Sequence, residues 1–176
     1  MLLLEEVTMQ YDALYLSLLY EVGVPENVIE HSLAVALYSE DVATRMRKAG
    51  LSISVKMASN GAILHDIGRS VTHSIRHGIE GARLIRSLHL PEPYARICER
   101  HIGAGITDDE ARELGFPPGR YMPETWEEKV VAHCDNCTFG TRRVPVSHTL
   151  ERFSTRVGPA VLERIKLLNK ELEPYL

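Results

Sequence analysis

The stretch that decides the fold is Ala62-Ile63-Leu64-His65-Asp66-Ile67-Gly68. An apolar run ends in an adjacent histidine and aspartate and is closed by a glycine. A carboxylate delivered by an apolar helix is costly to bury unless it is paired or bound to a metal. Ser52 is expected to cap that helix, which runs to about residue 65 and stops before Gly68.

Outward from this string the periodicity is helical almost throughout, and alternating β-branched runs are absent, so an all-α fold is expected. A first helix is expected over 9–21, ending at Gly23. Pro25 sits just inside the start of the second, a favoured place for proline, and that helix continues through His31 to Lys48 and Gly50. The polar stretch 69–76 reads as a loop, and helical pattern resumes over 78–88. Pro91-Glu92 opens a helix ending near Gly103. Thr107 with Glu110 has the form of a capping box for a short helix to Leu114. Phe116-Pro117-Pro118-Gly119 is a break. Pro123-Glu124 then starts a helix carrying Val130, Val131 and Asp135. Residues 140–146 read as a basic loop, followed by a helical extension over about 147–173, with its final helix over 159–172. A single domain spanning 1–176 is expected, its core at about 25–136.

The chain has 176 residues, 44% hydrophobic and 25% charged, which is enough to bury a full core. A net charge of -4 argues against broad electrostatic binding to DNA or membranes, and 6% aromatics give little stacking surface for single-stranded nucleic acid. No extended nucleic-acid surface is therefore expected. A small anionic partner remains compatible, because a bound metal reverses the local sign. The opening Met1-Leu2-Leu3-Leu4 is broken at once by Glu5 and Glu6, too short and too acidic for a signal peptide, and no apolar run reaches membrane-spanning length. A cytoplasmic location is expected, and a homo-oligomer is allowed. Cys98, Cys134 and Cys137 are read as packing residues, since a lone C-x-x-C lacks a second ligand pair for zinc.

His31 shares a helical stripe with Val28, Val35 and Tyr38, and Asp135 shares one with Val131, so both face the interior. Singly, an inward histidine is more often a hydrogen-bonded core residue than a ligand. The ordered set is different. His31, then His65-Asp66, then His77, His101 and Asp135 resembles the HD superfamily of metal-dependent phosphohydrolases in its HDIG form. The likeness spans roughly residues 25–136. It implies an HD-type helical bundle with a metal site in its core. One ion would be held by His31, His65, Asp66 and Asp135. A second would be held by His77 and His101, with Asp66 bridging the two. Some relatives carry another histidine where Ile102 stands. The resemblance leaves the metal open among Mn, Fe, Co, Ni and Zn. On a helix His133 points about 200° away from Asp135, so a second-layer or surface role is expected for it rather than ligation.

Two metals about 4 Å apart suit phosphoryl transfer to water. Asp66 and His65 are the expected catalytic centre, with Arg69 close enough to contact a phosphate. His73 and Arg100 are further candidates for substrate contact, and Arg142-Arg143 for a substrate rim. The string His101-Ile102-Gly103-Ala104-Gly105-Ile106-Thr107, followed by Pro123-Glu124-Thr125, is similar to a group of small HDIG proteins found largely in archaea. That likeness implies a phosphodiesterase acting on small nucleotides, 2′,3′-cyclic nucleotides first. Symmetrical dinucleoside tetraphosphate hydrolysis, monophosphate hydrolysis and a silent nucleotide-binding regulator are the alternatives.

Overall fold

The computed structural model describes residues 13–176, so the expected helix start at Met9 lies outside the described residues. The chain runs α1 (Ala13–Glu21), α2 (Glu26–Lys48), α3 (Val55–Leu64), a 3-10 turn (Ile67–Ser70), α4 (His77–Ser87), α5 (Glu92–Arg100), α6 (Asp108–Glu113) and α7 (Trp126–Asn136). A two-stranded antiparallel hairpin, β1 (Thr138–Phe139) and β2 (Arg142–Arg143), leads to α8 (Val146–Phe153), α9 (Pro159–Leu172) and a closing 3-10 turn (Glu173–Tyr175). The fold is all-α, as expected. The hairpin replaces the expected basic loop: Thr138 pairs with Arg143 and Phe139 with Arg142.

Helix starts follow local chemistry. Ser54, not Ser52, caps α3, its hydroxyl accepting from the Met57 amide at 3.2 Å. The Thr107–Glu110 capping box is formed. A second one, Thr125 with Glu128, starts α7 two residues after the expected Pro123. The core gathers where α2, α3, α5 and α7 meet, with Val35, Val42, Met46, Ile63, Leu64, Ile97, Val130 and Val131 all buried.

The glycine closing the opening string is required by contact. A Cβ on Gly68 would lie 1.9 Å from the His77 carbonyl oxygen and 2.5 Å from the Gly81 nitrogen, both backbone atoms. The 3-10 turn after Asp66 therefore rests directly on the backbone of α4. One turn before Gly81 on α4, a Cβ on Gly78 would lie 2.7 Å from the Cys98 carbonyl oxygen. Missing side chains thus bring the ends of α3, α4 and α5 together, and those ends carry His65-Asp66, His77 and His101.

Candidate metal centre

The six residues expected to act as ligands come from five places in the fold. His31 lies on the second turn of α2, His65-Asp66 follow α3, His77 opens α4, His101 follows α5, and Asp135 lies on the last turn of α7. Their donor atoms converge. His31 Nε2 is 2.9 Å from Asp135 Oδ1, and His65 Nε2 is 3.6 Å from the same oxygen. Asp66 faces two ways: Oδ2 lies 3.9 Å from His65 Nε2, while Oδ1 lies 3.1 Å from His77 Nε2 and 3.6 Å from His101 Nε2. Two overlapping triads, His31–His65–Asp135 and His65–Asp66–His101, each keep their donors within 4.8 Å of one another.

All four histidines are set up in the same way. Nδ1–H donates to a backbone carbonyl in each case: Gly140 for His31 at 2.8 Å, Ala62 for His65 at 2.6 Å, Ser74 for His77 at 2.7 Å and Cys98 for His101 at 2.7 Å. Three of these acceptors lie three residues upstream of the ring. A neutral imidazole so anchored presents its Nε2 lone pair inward, the arrangement that orients a metal-ligating histidine. His65 Nε2 is wholly buried and has no hydrogen-bond partner. An orphaned nitrogen aimed into a group of carboxylates and imidazoles fits a divalent transition metal, for which nitrogen and oxygen donors are the natural set.

The electrostatics are those of carboxylates and imidazoles buried together. Burial alone would drive His65 towards neutrality, yet the nearby carboxylates of Asp66 and Asp135 push its pKa up to about 9. His31 is also raised, burial being overcome by the Asp135 carboxylate. Burial works against ionisation of Asp66 and Asp135, but the surrounding histidines hold both well below the usual carboxylate range. Burial lowers His101.

The cluster forms one side of a cavity of about 630 Å³, within the range of small-molecule sites. Arg69 and His73 line it. Arg69 Nε is 3.3 Å from Asp66 Oδ1, and its Nη1 donates to the His73 carbonyl at 2.9 Å, so this arginine bridges ligand and loop. Ile102 also lines the cavity.

Arg100 does not reach the cavity, which corrects the expectation of substrate contact. It is buried, donates to the Arg120 carbonyl and pairs with Glu124 and Glu128 at 3.0 Å each, so its charge is spent clamping α5 to the start of α7. Arg142 and Arg143, weighed as a substrate rim against a solvated loop, are absent from the lining as well. Arg143 pairs with Asp41 at 2.9 Å and stacks 4.3 Å over Tyr38. His133 is neither on the surface nor against a ligand. It is buried with its ring 6.2 Å from that of Tyr38, its Nε2 has no partner, and desolvation pulls its pKa down to about 4. Cys98, Cys134 and Cys137 are buried free thiols, in keeping with packing.

Sequence reasoning missed the opposite wall. Phe139 comes from β1, Arg152 and Phe153 from α8, and Arg156 from the turn after it. Asn136, next to Asp135, ties this wall to the centre. Its Nδ2 donates to the Gly103 carbonyl at 2.6 Å, and its own carbonyl accepts from Thr149 Oγ1 on α8 at 2.6 Å. No spacing rule in the sequence signals this wall, because Phe139 is brought in from a separate hairpin and Arg156 lies beyond the end of α8.

Helices converging on paired histidine and aspartate donors around a cavity define a helical metal-binding bundle. A family model described as "HD domain" matches residues 28–140, and the chain belongs to that family. Uncharacterized protein MJ0778 of Methanocaldococcus jannaschii is 49% identical over 154 residues, covering 86% of this chain and 90% of that protein. The tRNA (cytidine(56)-2′-O)-methyltransferase of Thermoplasma volcanium is 35% identical over 92% of this chain, which spans only 46% of that longer protein. Among solved structures, the L. monocytogenes phosphodiesterase PgpH HD domain in complex with cyclic-di-AMP has a TM-score of 0.52 at 16% identity. That match covers 85% of this chain and 92% of the other, a likeness of fold. Among the described residues no helix is long and apolar enough to cross a membrane.

Proposed function

We propose that the protein is a metal-dependent phosphodiesterase that hydrolyses nucleotide phosphoester bonds with an activated water. The observation that carries this reading is the set of four histidines, each anchored through Nδ1 to a carbonyl and turned through Nε2 onto Asp66 or Asp135. His31, His65, Asp66 and Asp135 would hold one divalent ion, and His77 and His101 a second, with Asp66 facing both. A divalent ion held there supplies Lewis acidity towards a phosphoryl oxygen and brings the pKa of a water near neutrality.

The chain's own groups do the rest. Arg69 lies beside Asp66, and its fork suits the non-bridging oxygens of the scissile phosphate. His73 lines the cavity wall, and its ring would protonate a departing oxygen. Membership of the HD family and a fold shared with the PgpH domain support this reaction class. 2′,3′-Cyclic nucleotides are the first substrates to try, followed by dinucleoside polyphosphates and nucleoside monophosphates. The test is turnover of that panel by protein loaded with Mn, Ni, Co, Fe or Zn. Chelator-sensitive hydrolysis of a phosphodiester is expected. Tight nucleotide binding without turnover by any metal form would favour a silent regulator instead.

A further inference from the structure

The cavity is much larger than one phosphoryl group requires, and its far wall carries charge that the protein does not neutralise. Among the described residues the only carboxylates lining it are Asp66 and Asp135, both engaged by the histidines. Arg69 is matched by Asp66. Arg152 and Arg156 line the same space and, among the described residues, pair with no carboxylate.

Arg152 is held in a defined attitude. Its guanidinium carbon lies 5.3 Å from the centroid of the Phe139 ring and 4.9 Å from that of Phe153. Its Nε is buried and has no hydrogen-bond partner. Stacking on aromatic rings occupies the faces of a guanidinium and leaves its in-plane N–H edge for an acceptor, a geometry suited to bidentate contact with an oxyanion.

The stack is also fixed to the metal centre. Phe139 precedes Gly140, whose carbonyl accepts from His31 Nδ1 at 2.8 Å. The same hairpin residue pair therefore orients a candidate metal ligand and one of the rings that hold Arg152. Arg156 follows on the next turn, its amide donating to the Phe153 carbonyl at 2.8 Å.

We infer that Arg152, aided by Arg156, is a second anion site that selects nucleotides bearing a phosphoryl group in addition to the scissile one. This rests on the phosphodiesterase reading above. A 2′,3′-cyclic mononucleotide fills the metal side alone. The same cyclic ester carrying a 5′-phosphate, or ending a short nucleotide chain, fills both. Arg152 makes no covalent change; it positions the substrate and sets specificity.

The experiment compares hydrolysis of 2′,3′-cyclic AMP with that of its 5′-phosphorylated form by the full, metal-loaded chain. In parallel, calorimetry compares binding of AMP with that of adenosine 3′,5′-bisphosphate. The wild type is expected to favour the two-phosphate compound at least tenfold in kcat/KM and in affinity. Arg152→Gln brings both ratios close to one, Arg152→Lys retains part of them, and Arg156→Gln reduces them by a smaller factor. Absence of preference in the wild type overturns the second anion site. So does a preference that survives Arg152→Gln in protein with a native circular dichroism spectrum. If no metal form hydrolyses either ester, the binding ratio decides. A retained preference then supports the anion site while the hydrolase reading fails, and a lost preference overturns the site.

Discussion

The two walls of the cavity are built by different rules. On the ligand wall, His65, Asp66, His77 and His101 are buried, and each ring is tied to a backbone carbonyl. On the extension wall, Phe139 is 54% exposed, Arg156 is exposed, and Arg152 lies against the rings of Phe139 and Phe153. Backbone anchoring fixes donors within the narrow tolerance that coordination needs. Side-chain stacking tolerates exchange, which suits a surface that sets substrate choice. The difference teaches that chemistry and specificity are written in separate parts of the chain.

The sharpest way to break this contrast is Asp66→Ala. Asp66 presents one oxygen towards His65 and the other towards His77 and His101, so its loss opens both halves of the cluster. Activity is expected to fall by at least about a thousandfold in steady-state assays, with metal content falling in parallel. Activity within tenfold of the parent would overturn the assigned role. Gly68→Ala tests the scaffold beneath the same wall. Its Cβ meets the His77 carbonyl oxygen, backbone that cannot move without moving a candidate ligand. Destabilisation of about 3 kcal/mol or more in urea denaturation is expected, together with lost metal binding.

What the sequence revealed follows the same division. The ligand set was legible because coordination demands particular residue types, and His31, His65, Asp66, His77, His101 and Asp135 recur in an ordered spacing. The helices were legible from period and caps, although Ser54 rather than Ser52 takes the α3 cap because it is the hydroxyl within reach of the Met57 amide. Arg100 was misread because its partners, Glu124 and Glu128, lie far along the chain and only folding brings them to it. His133 was misplaced because a helical wheel says which way it does not face, not what covers it; Tyr38 from α2 does. The extension wall was illegible because stacking by Phe139 and Phe153 leaves no spacing rule in the sequence.

His133 separates ligating from merely buried histidines through pH. Its folded pKa of about 4 lies below the ordinary 6.5, so the unfolded chain binds a proton that the native state refuses. Its native burial is therefore fully tolerated above pH 6.5, and stability is lost as pH falls from 6.5 towards 4. The expected loss is about 3 kcal/mol over that window, read from urea midpoints of metal-free protein. His133→Phe keeps the packing against Tyr38 and is expected to reduce that slope by the share His133 contributes; an unchanged slope would place the titration elsewhere. His65 behaves oppositely. Its pKa of about 9 means that metal must displace a proton at neutral pH. Metal affinity is expected to rise about tenfold per pH unit between 7 and 9, with proton release detected by calorimetry in buffers of different ionisation enthalpy. A flat affinity profile would show that the metal displaces no proton from His65 in this range.

On the extension wall the smallest effect is expected from Phe153→Ala. It removes one ring from the Arg152 stack and is expected to raise KM several-fold while metal stoichiometry stays at the parent value. A drop in metal content would show that the two walls are not separable.

The most direct measurement is the metal content of purified wild type and Asp66→Ala, both native by circular dichroism, by inductively coupled plasma mass spectrometry after dialysis. One to two equivalents of a divalent transition metal in the wild type and less than about a tenth of an equivalent in the variant are expected. A wild type that binds no transition metal, or a variant that binds as much as the parent, would contradict a metal centre built on His65-Asp66.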